Sequence, residues 1–176
     1  MKKTLYSAVL VSILLSACGS PITPTQTDAD KIRQYMRISE NPGQTTVDPL
    51  HGKETGFWYG AILGSNGVNA NGVGFIHKFE DGTLTATVNL NILKAPEKSY
   101  FVAWLTDEGQ TKFIRVGVLE SIVGDARHSV SFSTKDDVTG LTSVLVTLEA
   151  ATEPKTPGNT KEATGTLREV QKTVQK

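Results

Sequence analysis

Three adjacent aromatics, Phe57-Trp58-Tyr59, are the one constellation in this 176-residue chain whose types and spacing point to contact with another molecule. On a strand, successive side chains alternate between faces, so at least one of the three must point away from any core the others enter. That outward ring either packs beneath the amino-terminal segment or offers a patch to a protein or glycan. The groups able to do acid–base or metal chemistry are scattered. His51, His77 and His128 lie in separate segments without His-x-His or His-Glu-x-x-His spacing, and a zinc site would need a carboxylate ligand brought in by folding. Asp125 and the pair Asp136-Asp137 lack the alternating Asp-x-Asn-x-Asp run of a calcium loop, so turn and capping duties are expected of them. Asp107 and Glu108 likewise read as turn carboxylates, since a glycosidase pair needs a defined separation across a cleft. No serine sits in Gly-x-Ser-x-Gly, and the glycine-rich Gly60 to Gly74 lacks a Walker lysine with a following helix. The expectation is a chain that is not an enzyme, with no metal and no cofactor. A hydrolase with an unrecognised site is the least favoured alternative.

The remaining reactive group is the sole cysteine, Cys18, and its setting is informative. Met1-Lys2-Lys3 is a short cationic start. Leu5 to Leu15 is an apolar run of about 11 residues, too short for a bilayer that needs about 20. Leu15-Ser16-Ala17-Cys18 then resembles the bacterial lipobox at all four positions. Small residues fit a peptidase pocket beside the cut, and a thiolate is the nucleophile able to take a diacylglycerol group as a thioether. The resemblance implies cleavage between Ala17 and Cys18 by signal peptidase II. Acylation of the new amino terminus would follow, palmitate being the expected fatty acid. Two or three acyl chains, at about 0.8 kcal/mol per buried methylene, hold a protein at a membrane where one chain is marginal. No Asp follows Cys18, so the inner-membrane retention signal of enteric bacteria is missing. The expected location is extracytoplasmic, anchored to membrane lipid through Cys18. That means the outer membrane, facing the periplasm or beyond, if the host has two membranes, and otherwise the outer face of the cell membrane.

Cleavage would remove Lys2 and Lys3 and leave a slightly acidic chain. No Lys/Arg cluster is dense enough to follow a phosphate backbone, so nucleic acid is not an expected partner. With Cys18 assigned to lipid no disulfide can form, and the core must be held by packing alone. Residues Ser20 to Asp28, rich in Pro, Thr, Gln and Ser, read as a tether. An acidic start at Asp28 and the spacing of Ile32, Tyr35, Met36 and Ile38 predict a short helix ended by Asn41-Pro42-Gly43.

Beyond this the signals are those of strands and turns. Phe57 to Leu63 is strongly apolar, and Asn66-Gly67 and Asn71-Gly72 tolerate positive φ. Val73 to Phe79 is followed by Asp81-Gly82, a two-residue hairpin signal. Leu84, Ala86, Val88 and Leu90 alternate with Thr85, Thr87, Asn89 and Asn91, which predicts one buried and one wet face. Tyr100 to Thr106 places Phe101, Ala103 and Leu105 opposite Val102 and Trp104, with Trp104 expected in the core. Phe113 to Leu119, His128 to Ser133, Thr142 to Leu148 and Ala163 to Val170 complete about eight strands. The predicted fold is all-β, an antiparallel β-sandwich. The predicted organisation is a signal peptide over 1–17, a lipidated tether and short amino-terminal segment over 18–55, the β-sandwich domain over 56–170 and a polar tail over 171–176.

Three segments carry a further resemblance. Phe101-Val102-Ala103-Trp104-Leu105-Thr106-Asp107-Glu108-Gly109 is similar to the Tyr-x-Leu-Trp-Leu segment of the extracytoplasmic C-terminal domain of anti-sigma-K factors. Gly117-Val118-Leu119 is similar to its Gly-Val-Phe. Val144 to Glu149 with Glu153-Pro154-Lys155-Thr156-Pro157 resembles its Val-Thr-x-Glu-Pro strand and the loop after it. Phe101 stands where that family has Tyr, Ala150-Ala151-Thr152 intervenes before Glu153-Pro154, and the family's Gly-Gly-Ser is missing. The cytoplasmic helical segment and membrane helix of those factors have no counterpart here, so sigma-factor sequestration is not implied. What the resemblance implies is a β-sandwich working outside the cell membrane. The functional expectation is a noncatalytic binding or interaction module of the cell envelope, with Phe57, Trp58 and Tyr59 as candidate contacts to an envelope protein or glycan. The alternative is an envelope sensor or regulatory accessory.

Overall fold

The alternation of Leu84 to Asn91 builds the centre of the fold, with one departure from its pattern: Thr87, expected on the wet face, is 6% exposed. Leu84, Ala86, Val88 and Leu90 are all buried, at most 7% exposed. The structure, a computed structural model, describes residues 46–121 and 124–171; the leader, Cys18, the tether and the short helix expected near Ile32 lie outside them. Among the described residues there are eleven strands and no helix. They are β1 (Val47–Asp48), β2 (Gly52–Gly64), β3 (Asn71–Phe79), β4 (Leu84–Asn91), β5 (Tyr100–Thr106) and β6 (Phe113–Val118). β7 (Glu120–Ser121), β8 (Arg127–Thr134), β9 (Ser143–Glu149), β10 (Lys161–Thr166) and β11 (Arg168–Glu169) follow.

The all-β, antiparallel expectation holds. Hydrogen bonding runs unbroken through the order β6-β5-β9-β10-β2-β3-β4-β8-β7, with β1 and β11 both on β2. The sheet curls until its two ends meet: a Cβ added to Gly117 of β6 would lie 2.9 Å from the Val130 methyl of β8. The result is a nearly closed, barrel-like sheet. The seam between β6 and β8 is packed rather than hydrogen-bonded, because the path ends at β6 on one side. Residues before Phe57, expected as loop, instead hold β1 and the first turn-in of β2, which starts at Gly52. Backbone pairing of Val47 with Lys53 extends the sheet there despite polar side chains.

One core fills the interior. Ile62, Ile76, Val88, Leu90, Phe101, Ala103, Leu105, Val144, Val146 and Ala163 all enter it from the concave faces of their strands. A second, smaller cluster lies on the opposite face of β5 and β9. There Val102, Trp104 and Leu145 pack with Phe113 and Val118. The sequence places Trp104 in the core; it is 1% exposed, but in this outer cluster. The connection from β9 to β10 is tied to the same side. The Trp104 indole N–H donates to the Thr147 hydroxyl (2.9 Å), which donates to Glu149 Oε1 (2.5 Å). The same carboxylate oxygen accepts the Gly158 N–H at 2.7 Å.

Tight turns sit within the connections between strands. Asn66 (φ 53°) and Gly67 (φ 82°) occupy successive left-handed positions, the type I′ pattern whose twist suits a hairpin, and Val68 N–H returns to the Ser65 carbonyl. At the β5–β6 turn, Asp107 accepts the Lys112 N–H (2.9 Å) and both the N–H and hydroxyl of Thr111 (2.6 Å each). Those donors, the Lys112 N–H foremost, hold the Asp107 carboxyl down at about 2 from an ordinary 3.8. A carboxyl depressed in the folded chain stabilises it above the unfolded pKa, and this contribution disappears as pH falls through the folded pKa. Stability is therefore expected to decline between about pH 4 and about 2. Asp107→Asn should flatten that decline in urea titrations repeated at several pH values. An unchanged acid slope would show that the turn carboxylate is not a source of it.

Candidate functional site

Alternation along β2 divides the aromatic triplet. Trp58 points inward and packs against the main core, lying over Gly56, where an added Cβ would meet the indole at 2.6 Å. Trp58 therefore does not share a face with its neighbours; of the three expected contact residues, Trp58 points inward, Phe57 is buried although it lies on the other face, and Tyr59 alone is exposed. Phe57 and Tyr59 project from the convex side. Phe57 is 5% exposed and Tyr59 44%. The Phe57 ring lies nearly parallel to Tyr59 (centroids 6.1 Å, 8°) and to Phe75 of β3 (6.1 Å, 18°), and His77 leans on it at 4.8 Å.

Strand register extends this cluster into a surface. Tyr59 pairs with Phe75, Phe75 with Thr87, and Thr87 with Ser131, so four strands contribute one row. The next row along the strands is Ala61, Val73, Asn89 and Ser129, and the one beyond is Leu63, Asn71, Asn91 and Arg127. On the other side runs Phe57, His77, Thr85 and Ser133. The convex face is thus aromatic and aliphatic over β2 and β3, and hydroxyl- and amide-bearing over β4 and β8. The polar half is internally ordered. Thr87 donates to Ser131 (3.1 Å), Ser129 donates to the Asn89 carbonyl oxygen (2.8 Å), and Asn91 donates to that of Asn71 (3.1 Å). Thr85 and Ser133 share a bond of 3.0 Å. On the apolar half, Leu63 and Val73 join Tyr59 as exposed large side chains, at 62% and 36%.

The histidines stay apart and each has a partner. His51 Nδ1 meets Asp81 and His77 Nδ1 meets the buried Glu54 carboxylate, both at 3.1 Å. Glu54 also accepts the Thr46 N–H through its other oxygen. His128 is buried and its Nδ1 lies 2.9 Å from the Ala126 carbonyl. Because a carbonyl only accepts, that nitrogen carries the proton. Among the described residues no three His, Cys, Asp or Glu side chains converge as metal ligands would. Asp125 holds the Arg127 guanidinium and N–H, and Asp137 accepts the Thr139 N–H, which are turn duties.

A cleft of about 1080 Å3 opens beside the β6–β8 seam, lined in part by Lys98, Tyr100, Arg115, Leu119, His128 and Glu153. Arg115 bonds the Thr152 carbonyl and the Glu153 carboxylate, while its Nε is buried without a hydrogen-bond partner. Among the described residues of this cleft, Ser121 and His128 face each other across β7 and β8, but the Ser121 hydroxyl donates to the Asp125 carbonyl and His128 Nδ1 lies against the Ala126 carbonyl; carboxylates and cations are mixed.

The sequence names Phe57, Trp58 and Tyr59 together, and Phe75, Val73, Asn89, Ser129 and Ser131, which share the outer face with Phe57 and Tyr59, are not among its candidates. A two-residue Asp81-Gly82 turn would set Phe75 opposite Val88; the observed connection is instead the three-residue Glu80-Asp81-Gly82, with Gly82 at φ 82° and the Phe79 N–H bonded to the Thr83 carbonyl, and it places Phe75 opposite Thr87. The pairing of β4 with β8 had no such local marker. Comparison with known proteins adds no assignment: no family model matches the chain, and no curated protein matches it.

Proposed function

We propose that this chain is a lipid-anchored, noncatalytic binding module of the bacterial cell envelope, and that the convex face of β2, β3, β4 and β8 is its contact surface. The observation that carries this reading is the continuity of Tyr59, Val73 and Leu63, three exposed large apolar side chains held together on one rigid, register-locked face. Apolar residues scattered singly over a surface need no explanation, whereas a contiguous group edged by polar rows is the composition of an interaction site. Anchoring rests on the lipobox Leu15-Ser16-Ala17-Cys18, with cleavage after Ala17 and the membrane lipid joined to Cys18. The fold we infer is sandwich-like, a flattened barrel whose β2–β4 half faces its β5–β9 half; core residues drawn from both halves support it.

A photo-crosslinking side chain placed at Tyr59 or Val73 is expected to give adducts in living cells, with none from the same group at Leu93, an exposed position after β4. Adducts of equal yield from all three sites, or none at all, would overturn the assignment of the face. In the same cells, Cys18→Ser is expected to move the protein from the detergent phase to the aqueous phase. Unchanged partitioning would remove the anchor.

A second reading, an envelope sensor or regulatory accessory, is supported by one feature. The three segments similar to anti-sigma-K factor domains fall on β6, β5 and β9, which are direct neighbours, and Arg115 bonds the Glu153 loop across them.

A further inference from the structure

Resting on that reading of the convex face, we propose that its ligand is an uncharged, extended polysaccharide strand. The two central rows, Tyr59-Phe75-Thr87-Ser131 and Ala61-Val73-Asn89-Ser129, contain no ionisable acid or base other than a phenol. A nucleic acid or an anionic polymer needs cations along its track, and these rows have none. A protein partner fits poorly for a different reason. Its contact core would have to desolvate a set of hydroxyls and carboxamides, at a cost wherever a match is missed.

A sugar chain meets both halves of the face with one repeating chemistry. Its C–H faces suit Tyr59, Phe75 and Val73. Each sugar hydroxyl can donate and accept, which suits groups that already spend one bond on a neighbour. The hydrogen bonds show which groups remain available. Asn89 uses its carbonyl oxygen to receive Ser129, leaving both amide N–H donors for a ligand. Asn71 is in the same state, because its carbonyl oxygen receives Asn91. Thr87 is itself buried, at 6% exposure, and its hydroxyl donates to the half-buried Ser131, whose own proton is uncommitted in that bond. Pairing within the protein also fixes these groups in advance, so little ordering remains to oppose binding. Neighbouring strands are about 4.8 Å apart, so a row from β2 to β8 spans about 14 Å, a length suited to a chain of several rings rather than a single sugar.

The test uses the full chain in detergent micelles with chitin and cellulose hexasaccharides as uncharged probes and a polygalacturonate oligomer as the anionic one. Binding of at least one uncharged probe is expected, with affinity insensitive to salt, and the anionic probe should bind more weakly. Tyr59→Ala and Asn89→Leu should each weaken that binding by about tenfold, as loss of one ring contact or one hydrogen-bonding group implies. Ala61→Glu, at an exposed position outside the core, should abolish it with the thermal midpoint retained, which guards against variants that merely unfold. Tyr100→Ala, in the cleft by the seam, should leave it intact. No binding of either uncharged probe, or binding indifferent to Tyr59, Asn89 and Ala61, overturns the proposal. If that failure comes with protein adducts from crosslinkers at Tyr59 and Val73, the ligand class falls while the contact face stands. If the crosslinkers also give nothing, both fall together.

Discussion

Gly60→Ala is expected to lower stability by about 3 kcal/mol or more, because the added methyl group has nowhere to go. Its Cβ would lie 2.0 Å from the Thr166 carbonyl oxygen and 3.2 Å from the Leu167 Cα. Both neighbours are backbone, so no side-chain rotation can relieve the contact. The crowding is a product of how β2 is shared. β10 pairs with its far end at Leu63 and Gly64, and β11 pairs farther back at Trp58 and Tyr59. Between the two, the chain dips so that Leu167 enters the core at 2% exposure. Gly165 meets the same constraint from the other side, 2.3 Å from the Ala61 carbonyl oxygen. For a domain with a typical 5–15 kcal/mol of stability the change is a large fraction, and a fall in thermal midpoint of about 10 °C is expected. Gly67→Ala is the control. Nothing lies within 4 Å of its Cβ, so only the strain of its positive φ, about 1 kcal/mol, should register. Equal midpoints for the two variants would refute the close approach of β2 to β10.

The second large effect is expected at Trp104. Trp104→Ala should cost about 3–5 kcal/mol, the range for removing a fully buried large side chain. The indole is the largest fully buried side chain and anchors the outer cluster with Val102 and Leu145. It also begins the chain of hydrogen bonds through Thr147 and Glu149 to the Gly158 N–H. Trp104→Phe separates packing from polarity. It keeps most of the apolar contact and deletes one donor, so a loss of about 1 kcal/mol is expected. In both variants the Gly158 amide should exchange its hydrogen faster, because the carboxylate that holds it is no longer braced. A Trp104→Ala variant as stable as the parent in denaturant titration would mean that the outer cluster contributes nothing to the fold.

The two effects differ in how far they could be anticipated. Alternation around Trp104 placed it opposite Phe101, Ala103 and Leu105, and that division is observed. Period-2 patterning separates two faces but does not say which covering each receives. The second face is buried here because the loop after β9 folds back, held by Arg115 to Thr152 and by Gly158 to Glu149. Gly60 carried no comparable signal. Its glycine looked like part of a hairpin-rich stretch, whereas the requirement comes from a segment about a hundred residues later in the chain.

The candidate surface shows the same division. That Phe57-Trp58-Tyr59 divides between two faces was legible because adjacent residues on a strand cannot share a side, but which rings face outward was not. The place of Phe75 was not legible either, because reading Asp81-Gly82 as a two-residue turn shifts the β3–β4 register by one, whereas the three-residue connection Glu80-Asp81-Gly82 sets Phe75 opposite Thr87. Asn89 was recognisable as a wet position, and Ser129 and Ser131 only as members of the strand His128 to Ser133. They join the aromatic rows only because β8, reached after an excursion through β5, β6 and β7, returns to pair with β4.

Local chemistry therefore determined the strands, the hairpin turns and the inward or outward sense of most side chains, since each depends on residues within one turn or one alternation. Neighbourhood was decided by the tertiary structure: β5 beside β9, β10 beside β2, β8 beside β4, and the curl that brings Gly117 of β6 against Val130 of β8. Many partners would satisfy the backbone hydrogen bonds of an apolar strand equally well. Burying all the apolar faces around one core at once is what selects among them, and that is a property of the whole chain.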